Sequence, residues 1–234
     1  MRTWLFGFLL AVLVALATPA AATVKEAEAA IAAGRHSDAL ATLAPLVAKG
    51  DRDAQTLTAG LLLSGLGATK DVARARELFT AAAQQGQPFA QYNLAVMYHH
   101  GDAGAVDLAT ARHWYALAAQ AGMVPAMTQW ALFQLEGHGG ARDPANARRW
   151  AERAANAGDP QAQYLTGILA ANGEGKPADT VEAYVWLLLA DRSGFKPAQE
   201  SLEILKHRLS AEERTKAEQA AIAWRPTAEG TDRR

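Results

Sequence analysis

Histidines are the residues of this chain that come closest to forming a chemical site. His99 and His100 are predicted to end one helix, and His138, with Glu136 beside it, is predicted to end a later helix at nearly the same level. Packed helices lie about 8–10 Å apart, so these side chains meet at one edge, and imidazole with carboxylate is a zinc-binding combination. However, adjacent histidines point in different directions on a helix, and the chain has no H-x-x-x-H spacing. The pattern favours solvated or turn-capping histidines and predicts no metal site.

Other reactive groups are missing or wrongly spaced. The chain has no cysteine, and no serine stands in a G-x-S-x-G turn, which holds the nucleophile of many hydrolases. Residues 173–176, Gly-Glu-Gly-Lys, superficially resemble a phosphate-binding loop, but the spacing differs and Pro177 stands where that loop needs Ser or Thr. We therefore expect no catalytic residue and no cofactor.

Columns of identical residues recur along the chain with a step of 36 residues. They are made of alanine, glycine or aspartate: Ala54, Ala90, Ala126, Ala162 and Ala198; Gly65, Gly101, Gly137 and Gly173; Asp71, Asp107, Asp143 and Asp179. A fixed period of this size is typical of proteins in which one supersecondary unit stacks on copies of itself. The sequence thus predicts an all-α, α/α superhelical solenoid of stacked antiparallel helix pairs.

The third copy shows how one unit is expected to fold. A first helix over residues 126–136 is apolar on more than one side, which suits a helix packed between neighbours, and Gly137 ends it. Asp143 then accepts the free backbone N–H groups of the second helix. In the fourth copy Asp179 and Glu182, three residues apart, predict a capping box.

Small and large residues alternate on the predicted second helices. Alanines that allow close helix approach are followed three residues later by a bulky side chain, and the bulky column is Leu78, Trp114, Trp150 and Trp186. This periodicity predicts that the tryptophans belong to the core. Arg148, Arg149 and Arg153 of the third copy are expected on a solvated outer face.

The columns resemble the Sel-one-like repeat, a relative of the tetratricopeptide repeat. The second copy carries the resemblance best, through Ala90, Leu94, Ala95, Tyr98, Gly101, Asp107, Ala111, Trp114, Tyr115, Ala118, Ala119 and Gly122. The resemblance implies an α/α superhelix that serves as an adaptor for proteins, with no shared reaction. Expected repeats are 54–89, 90–125, 126–161 and 162–197, between an N-terminal tetratricopeptide-like capping helix pair (23–53) and C-terminal capping helices (198–224).

The two ends of the chain are expected to differ from the repeats. Residues 4–17 form an apolar run, followed by Pro19 and by alanines at 20–22. This run is shorter than the roughly 20 residues that span a bilayer, so residues 1–22 are interpreted as a cleavable signal peptide. Residues 225–234 are polar and are expected to be a disordered tail.

A candidate binding face follows from the resemblance, because first helices line the concave wall of tetratricopeptide folds. By column it comprises Thr56, Tyr92, Val96, His99, Thr128, Leu132, Leu135, Tyr164 and Ile168. The row Val96, Leu132 and Ile168 is apolar throughout, which suits a groove for an apolar helix or extended peptide. The same pattern also suits burial against neighbouring helices, and the sequence leaves the two open.

These observations predict an exported, periplasmic adaptor that binds a protein or peptide, with an envelope component as one candidate partner. The formal net charge of −1 gives no basic excess for nucleic acid, and no membrane insertion is expected after signal cleavage. The first alternative is a hydrolase acting on cell-wall material, as suggested for cysteine-rich relatives, with His99 as its testable residue. The second alternative is a structural spacer or self-associating unit.

Overall fold

The structure, a computed structural model, describes residues 23–102 and 104–227, in which every regular element is an α-helix. This confirms the predicted all-α class. Twelve helices occur within these ranges: α1 (Val24–Ala32), α2 (His36–Ala48), α3 (Arg52–Ser64), α4 (Val72–Gln84), α5 (Pro88–His100), α6 (Leu108–Gln120), α7 (Val124–Glu136), α8 (Pro144–Asn156), α9 (Pro160–Asn172), α10 (Thr180–Arg192), α11 (Pro197–Lys206) and α12 (Ala211–Ala223).

The helices stack in chain order. Helices α3 to α10 form four successive hairpins, and each of these helices packs mainly against the helix before it and the helix after it. The last helix, α12, departs from this order because it packs against α10. Such nearest-neighbour packing is the defining property of a solenoid. The predicted α/α superhelical solenoid is therefore confirmed.

Aspartate and glycine columns set the limits of the helices, as the sequence predicted. Asp71, Asp107, Asp143 and Asp179 each cap a second helix, accepting a backbone N–H three residues later at 2.8–3.0 Å. Each first helix of a hairpin ends at a glycine in the left-handed conformation: Gly65, Gly101, Gly137 and Gly173, with φ between 67° and 80°. Only glycine adopts this conformation without steric cost, so the step of 36 residues directly fixes the hairpin length.

Alanines form the tightest part of the core. The columns Ala75, Ala111, Ala147, Ala183 and Ala82, Ala118, Ala154, Ala190 are fully buried. Trp114, Trp150 and Trp186 pack against these clusters but remain half-buried, so they cover the helix contacts from outside. The hydrophobic core thus consists of successive clusters between the helices.

In three hairpins the glycine that ends the first helix is followed two residues later by a second glycine. This second glycine packs against the preceding second helix, and we call this approach the loop contact. At Gly67, Gly139 and Gly175, an added Cβ would lie 2.6, 2.2 and 2.7 Å from backbone atoms at the start of the preceding second helix. Only a residue without Cβ permits this approach. In the second hairpin the glycine comes one residue later, at Gly104, and a Cβ there would meet no atom within 4 Å.

Arg148 lies where the sequence predicted a solvated face, and that prediction is wrong for this residue. Its side chain is 1% exposed and donates to Glu152 at 2.9 Å and to Glu182 at 2.6 Å. Glu182 lies on α10, so the arginine links two hairpins. The predicted capping box at Asp179 does not form in full, because the Glu182 carboxylate turns to Arg148 while Asp179 still accepts the Glu182 N–H.

The chain ends fall largely outside the described residues. The predicted signal peptide, 1–22, and most of the predicted disordered tail lie there. At the C-terminal end, the Trp224 ring meets the Trp186 ring edge-on at 6.5 Å, and the Thr227 N–H donates to the Asn156 carbonyl at 2.8 Å. The chain after α12 therefore turns back onto α8. Within the described ranges, no helix combines the length and apolar character required to cross a membrane.

Candidate protein-interaction surface

The first helices of the hairpins present one solvent-facing stripe each, and together these stripes form what we call the first-helix wall. On α5 the stripe is Phe89, Asn93, Val96 and His100, at the i, i+4, i+7 and i+11 positions of one helix face. The opposite face of α5 is buried, through residues such as Leu94 and Met97. The wall is therefore built from α3, α5, α7 and α9.

The apolar row of the candidate binding face lies on this wall. Val96, Leu132 and Ile168 are half-buried, and each packs against a core cluster on one side only. Their other side faces solvent. The sequence left open whether this row is buried against neighbouring helices or exposed to a partner. Each side chain does both in part, because one side packs on the core and the other adds to a discontinuous apolar surface. Gly60 takes the same column in α3 and leaves that position without a side chain.

A second row of the candidate face lies at the border of the wall. Thr128 is 1% exposed, and its hydroxyl lies 3.1 Å from the Asp159 carboxylate that caps α9. Thr128 therefore joins two hairpins and offers no surface. Tyr164 is half-buried and packs on Phe195 with ring centroids 5.2 Å apart. Thr56 donates to the backbone carbonyl of its own helix, at position 52, at 2.8 Å.

Tyr92 belongs to this border row and contacts an aromatic group beneath the wall. Its ring lies 5.8 Å from the ring of Tyr115, which is buried at 1% exposure. Burial raises the pKa of Tyr92, and the negative charge of Asp159 raises it further. Burial also raises the pKa of Tyr115 far above its ordinary value. Both phenols are therefore neutral over the physiological range.

The remaining two predicted residues, His99 and Leu135, lie near the C-terminal ends of α5 and α7. Leu135 is half-buried against a core cluster. His99 packs edge-on against Phe133 with ring centroids 4.9 Å apart, and its Nδ1 lies 3.4 Å from the Tyr115 hydroxyl. These contacts make His99 part of the packing between two hairpins rather than a free surface group.

The histidine cluster at this edge comes together as the sequence predicted, but the expectation that the adjacent His99 and His100 point in different directions is wrong, because their rings stack. His99 stacks on His100 with centroids 4.6 Å apart and lies 6.4 Å from His138, whose Nδ1 is 3.2 Å from the Glu136 carboxylate. Among the residues that the structure describes, no three His, Cys, Asp or Glu side chains are placed to hold one metal ion. Burial lowers the pKa of His99, and His100 and His138 lower it further, while Glu136 acts in the opposite direction.

The lowered pKa of His99 predicts that acid destabilises the fold. A histidine with a lower pKa in the folded state binds fewer protons when folded, so its contribution is complete above the unfolded pKa of about 6.5. That contribution is lost as the pH falls through the folded pKa. We expect the free energy of unfolding, measured in urea by circular dichroism, to fall below about pH 6.5, and to fall less in His99→Gln.

His207→Gln serves as the control for this measurement, because His207 is exposed at the end of α11. The control is expected to keep the pH profile of the parent. A profile that is identical in the parent and in His99→Gln would contradict the assignment of acid sensitivity to this cluster.

Phe89 is the wall residue that the sequence analysis missed. It is 60% exposed at the start of α5, beside a cleft of about 300 Å³ between α1, α3 and α5. On α5 the candidate face transferred from the tetratricopeptide fold began at Tyr92, three residues after Phe89, so it did not include Phe89. A signal existed in its column, where the other repeats carry Asp53, Pro125 and Gln161.

Stacked hairpins with one solvent-facing wall define an α/α solenoid that presents an extended surface to other molecules. The sequence model of the Sel1 repeat matches residues 52–87, 88–123, 124–159 and 160–194. The chain therefore belongs to the Sel1 repeat family, as the resemblance predicted. Repeats of this family are generally protein-interaction modules, and their fold is typically a non-catalytic scaffold.

Two helical-repeat proteins are among the solved structures that are similar to this chain. The protective antigen c5321 of uropathogenic Escherichia coli, which displays an SLR fold, matches with a TM-score of 0.73 and 27% identity, over 80% of this chain and 40% of the antigen. The chain thus spans about 40% of the length of that antigen. A Sel1 repeat protein from Oxalobacter formigenes matches with a TM-score of 0.77 and 24% identity, over 87% of this chain and 83% of that protein. No curated protein matches the chain.

Proposed function

We propose that the chain is an exported, periplasmic adaptor that binds a protein or peptide through the first-helix wall. The observation that carries this proposal is the row Val96, Leu132 and Ile168, which keeps apolar surface in solvent on three successive hairpins. Apolar positions repeated on adjacent elements suit an amphipathic helix or an extended peptide lying along the wall. Export is supported by the apolar run at 4–17 and the alanines at 20–22.

Leu132 lies in the middle of this row and is the position to test. We expect Leu132→Arg to abolish capture of a partner by crosslinking in the periplasm, because a charge at the centre of an apolar contact must be desolvated without a partner. The helical circular dichroism signal is expected to remain, since Leu132 keeps one side in solvent.

Gln120→Arg is the matched control, because Gln120 is exposed at the end of the second helix α6 and lies off the wall. It adds the same charge and is expected to leave capture unchanged. Equal capture by the parent and by Leu132→Arg would contradict the assignment of binding to the wall. Recovery of the protein only from the cytoplasm, with residues 1–22 intact, would contradict export.

A further inference from the structure

The cleft beside Phe89 is formed at the N-terminal end of the first-helix wall. It measures about 300 Å³ and lies between α1, α3 and α5. Val24 and Leu57 line it from two helices, and the buried ring of Phe79 lies at its base. This volume is at the lower end of the range of ligand-binding pockets, which suits one large side chain with part of its backbone.

Gly60 creates the depth of the cleft. In the same column the later hairpins carry Val96, Leu132 and Ile168, so the missing side chain opens the wall only in the first hairpin. A Cβ built at Gly60 would meet no atom within 4 Å, which shows that the space is free. Gly60 lies inside helix α3, where glycine is less favourable than alanine, and it has no positive φ that would require it. The fold therefore gains nothing from this glycine.

Phe89 supplies an exposed aromatic wall to the same cleft. Its side chain is 60% exposed, although burial of an apolar ring is favourable. Aromatic residues beside a pocket are typical of the central contacts in protein interfaces. A ring face also attracts a cation placed within about 6 Å of its centre.

The charged residues that line the cleft are acidic. Among the described residues, Glu28 and Asp53 line it and no lysine or arginine does. The Glu28 side chain forms no hydrogen bond or ion pair with any described residue. Asp53 accepts from the Gln87 side-chain amide at 3.3 Å and lies 4.0 Å from the Arg52 Nε, and both contacts are long. Both carboxylates can therefore still pair with a cationic group of a ligand.

We propose that this cleft binds a peptide segment in which an aromatic or large aliphatic side chain is followed by lysine or arginine. The apolar side chain enters the space above Gly60 and packs against Phe89. The basic side chain reaches Glu28 and Asp53 at the rim, where a charge pair adds specificity. This inference rests on the proposed adaptor function and adds the chemistry of the partner.

Two short peptides that differ only in charge test the proposal. The probes are acetyl-Gly-Phe-Lys-Gly-amide and acetyl-Gly-Phe-Glu-Gly-amide, titrated into the protein and followed by amide chemical shifts in NMR. The lysine peptide is expected to shift the amides of Gly60 and Phe89 with a Kd near about 1 mM, and the glutamate peptide to bind at least about tenfold more weakly. Equal binding of the two peptides, or binding of neither, would overturn the proposal.

Substitutions in the cleft give the second arm of the test. Gly60→Leu gives the first hairpin the same side chain that the third hairpin has at Leu132, which fills the cleft, and it is expected to abolish binding. Phe89→Ala is expected to weaken binding at least about fivefold. Combined Glu28→Lys and Asp53→Lys is expected to reverse the preference to the glutamate peptide. Gln84→Leu, at an exposed site at the end of α4, is the control and is expected to bind as the parent does.

The outcome also separates this inference from the proposed function. If Leu132→Arg abolishes partner capture while neither peptide binds the cleft, the adaptor function stands and the proposed cleft ligand is wrong. A concentration-dependent mass in light scattering that Gly60→Leu abolishes would assign the cleft to a second copy of the chain, and this too would overturn the proposal.

Discussion

Gly139→Ala is expected to destabilise the protein by about 2–5 kcal/mol. The left-handed conformation at this position, with φ of 65°, costs a residue with a Cβ roughly 1–2 kcal/mol. The new Cβ would also lie 2.2 Å from the Leu108 carbonyl oxygen, and relieving such overpacking costs about 1–3 kcal/mol more. Urea unfolding followed by circular dichroism measures the change.

Gly86→Ala carries only the first of these effects, so the difference between the two variants measures the second. Gly86 has a similar φ of 78°, but a Cβ there would meet no atom within 4 Å. Gly86→Ala is expected to lower the free energy of unfolding by only about 1–2 kcal/mol, because of the backbone conformation alone. If both variants lost the same stability, the loop contact between hairpins would contribute nothing beyond the turn itself.

Removing the buried arginine is expected to have the second largest effect. Arg148→Ala should cost about 2–3 kcal/mol, because it leaves Glu182 without its 2.6 Å partner and removes the packed stem of the arginine. The full cost of breaking a buried ion pair, about 3–5 kcal/mol, does not apply because Glu152 and Glu182 are 23% and 31% exposed and regain water.

Arg149→Ala provides the comparison on the same helix. Arg149 is exposed and contacts Asn146 of its own helix, so its loss is expected to change stability by no more than about 0.5 kcal/mol. Thermal and urea unfolding of the two variants give the difference. Similar values for Arg148→Ala and Arg149→Ala would show that the link between α8 and α10 does not stabilise the array.

The same arginine has a consequence for acid stability. Burial acts to raise the pKa of Glu152, but hydrogen bonds from Lys176 and Arg148 outweigh it and hold that pKa below its ordinary value. The stabilisation is therefore present above the unfolded pKa of about 4.3 and is lost as the pH falls through the folded value. The stability of Arg148→Ala is expected to depend less on pH in this range, because Glu152 then keeps only the hydrogen bond from Lys176.

Much of the fold was predictable because the 36-residue step acts through local rules. An aspartate at a fixed place caps a helix, and a glycine at a fixed place ends one, whatever surrounds them. The alanine columns required close helix contacts, and the buried alanines make them. Arg148 was not predictable in this way, because its burial depends on Glu182, which lies on another hairpin.

The surface was predicted less completely than the fold. A column of residues transferred from a related fold predicts which face of a helix forms the surface. It does not predict the exposed fraction of each side chain on that face. Thr128 is buried because Asp159 of the next hairpin reaches its hydroxyl, and this pairing spans 31 residues of sequence. Phe89 was missed because the rows transferred from the related fold began three residues after it, at Tyr92, although its own column already differed from the other repeats.

The turn glycines are placed unevenly along the array. Gly67, Gly139 and Gly175 lie against the preceding second helix, whereas a Cβ at Gly104 would touch nothing. The joint between the first and second hairpins therefore lacks the loop contact that the other joints have. Gly60 and Phe89 lie on opposite sides of that joint, so a segment bound between them would add a bridge at the joint where the loop contact is missing.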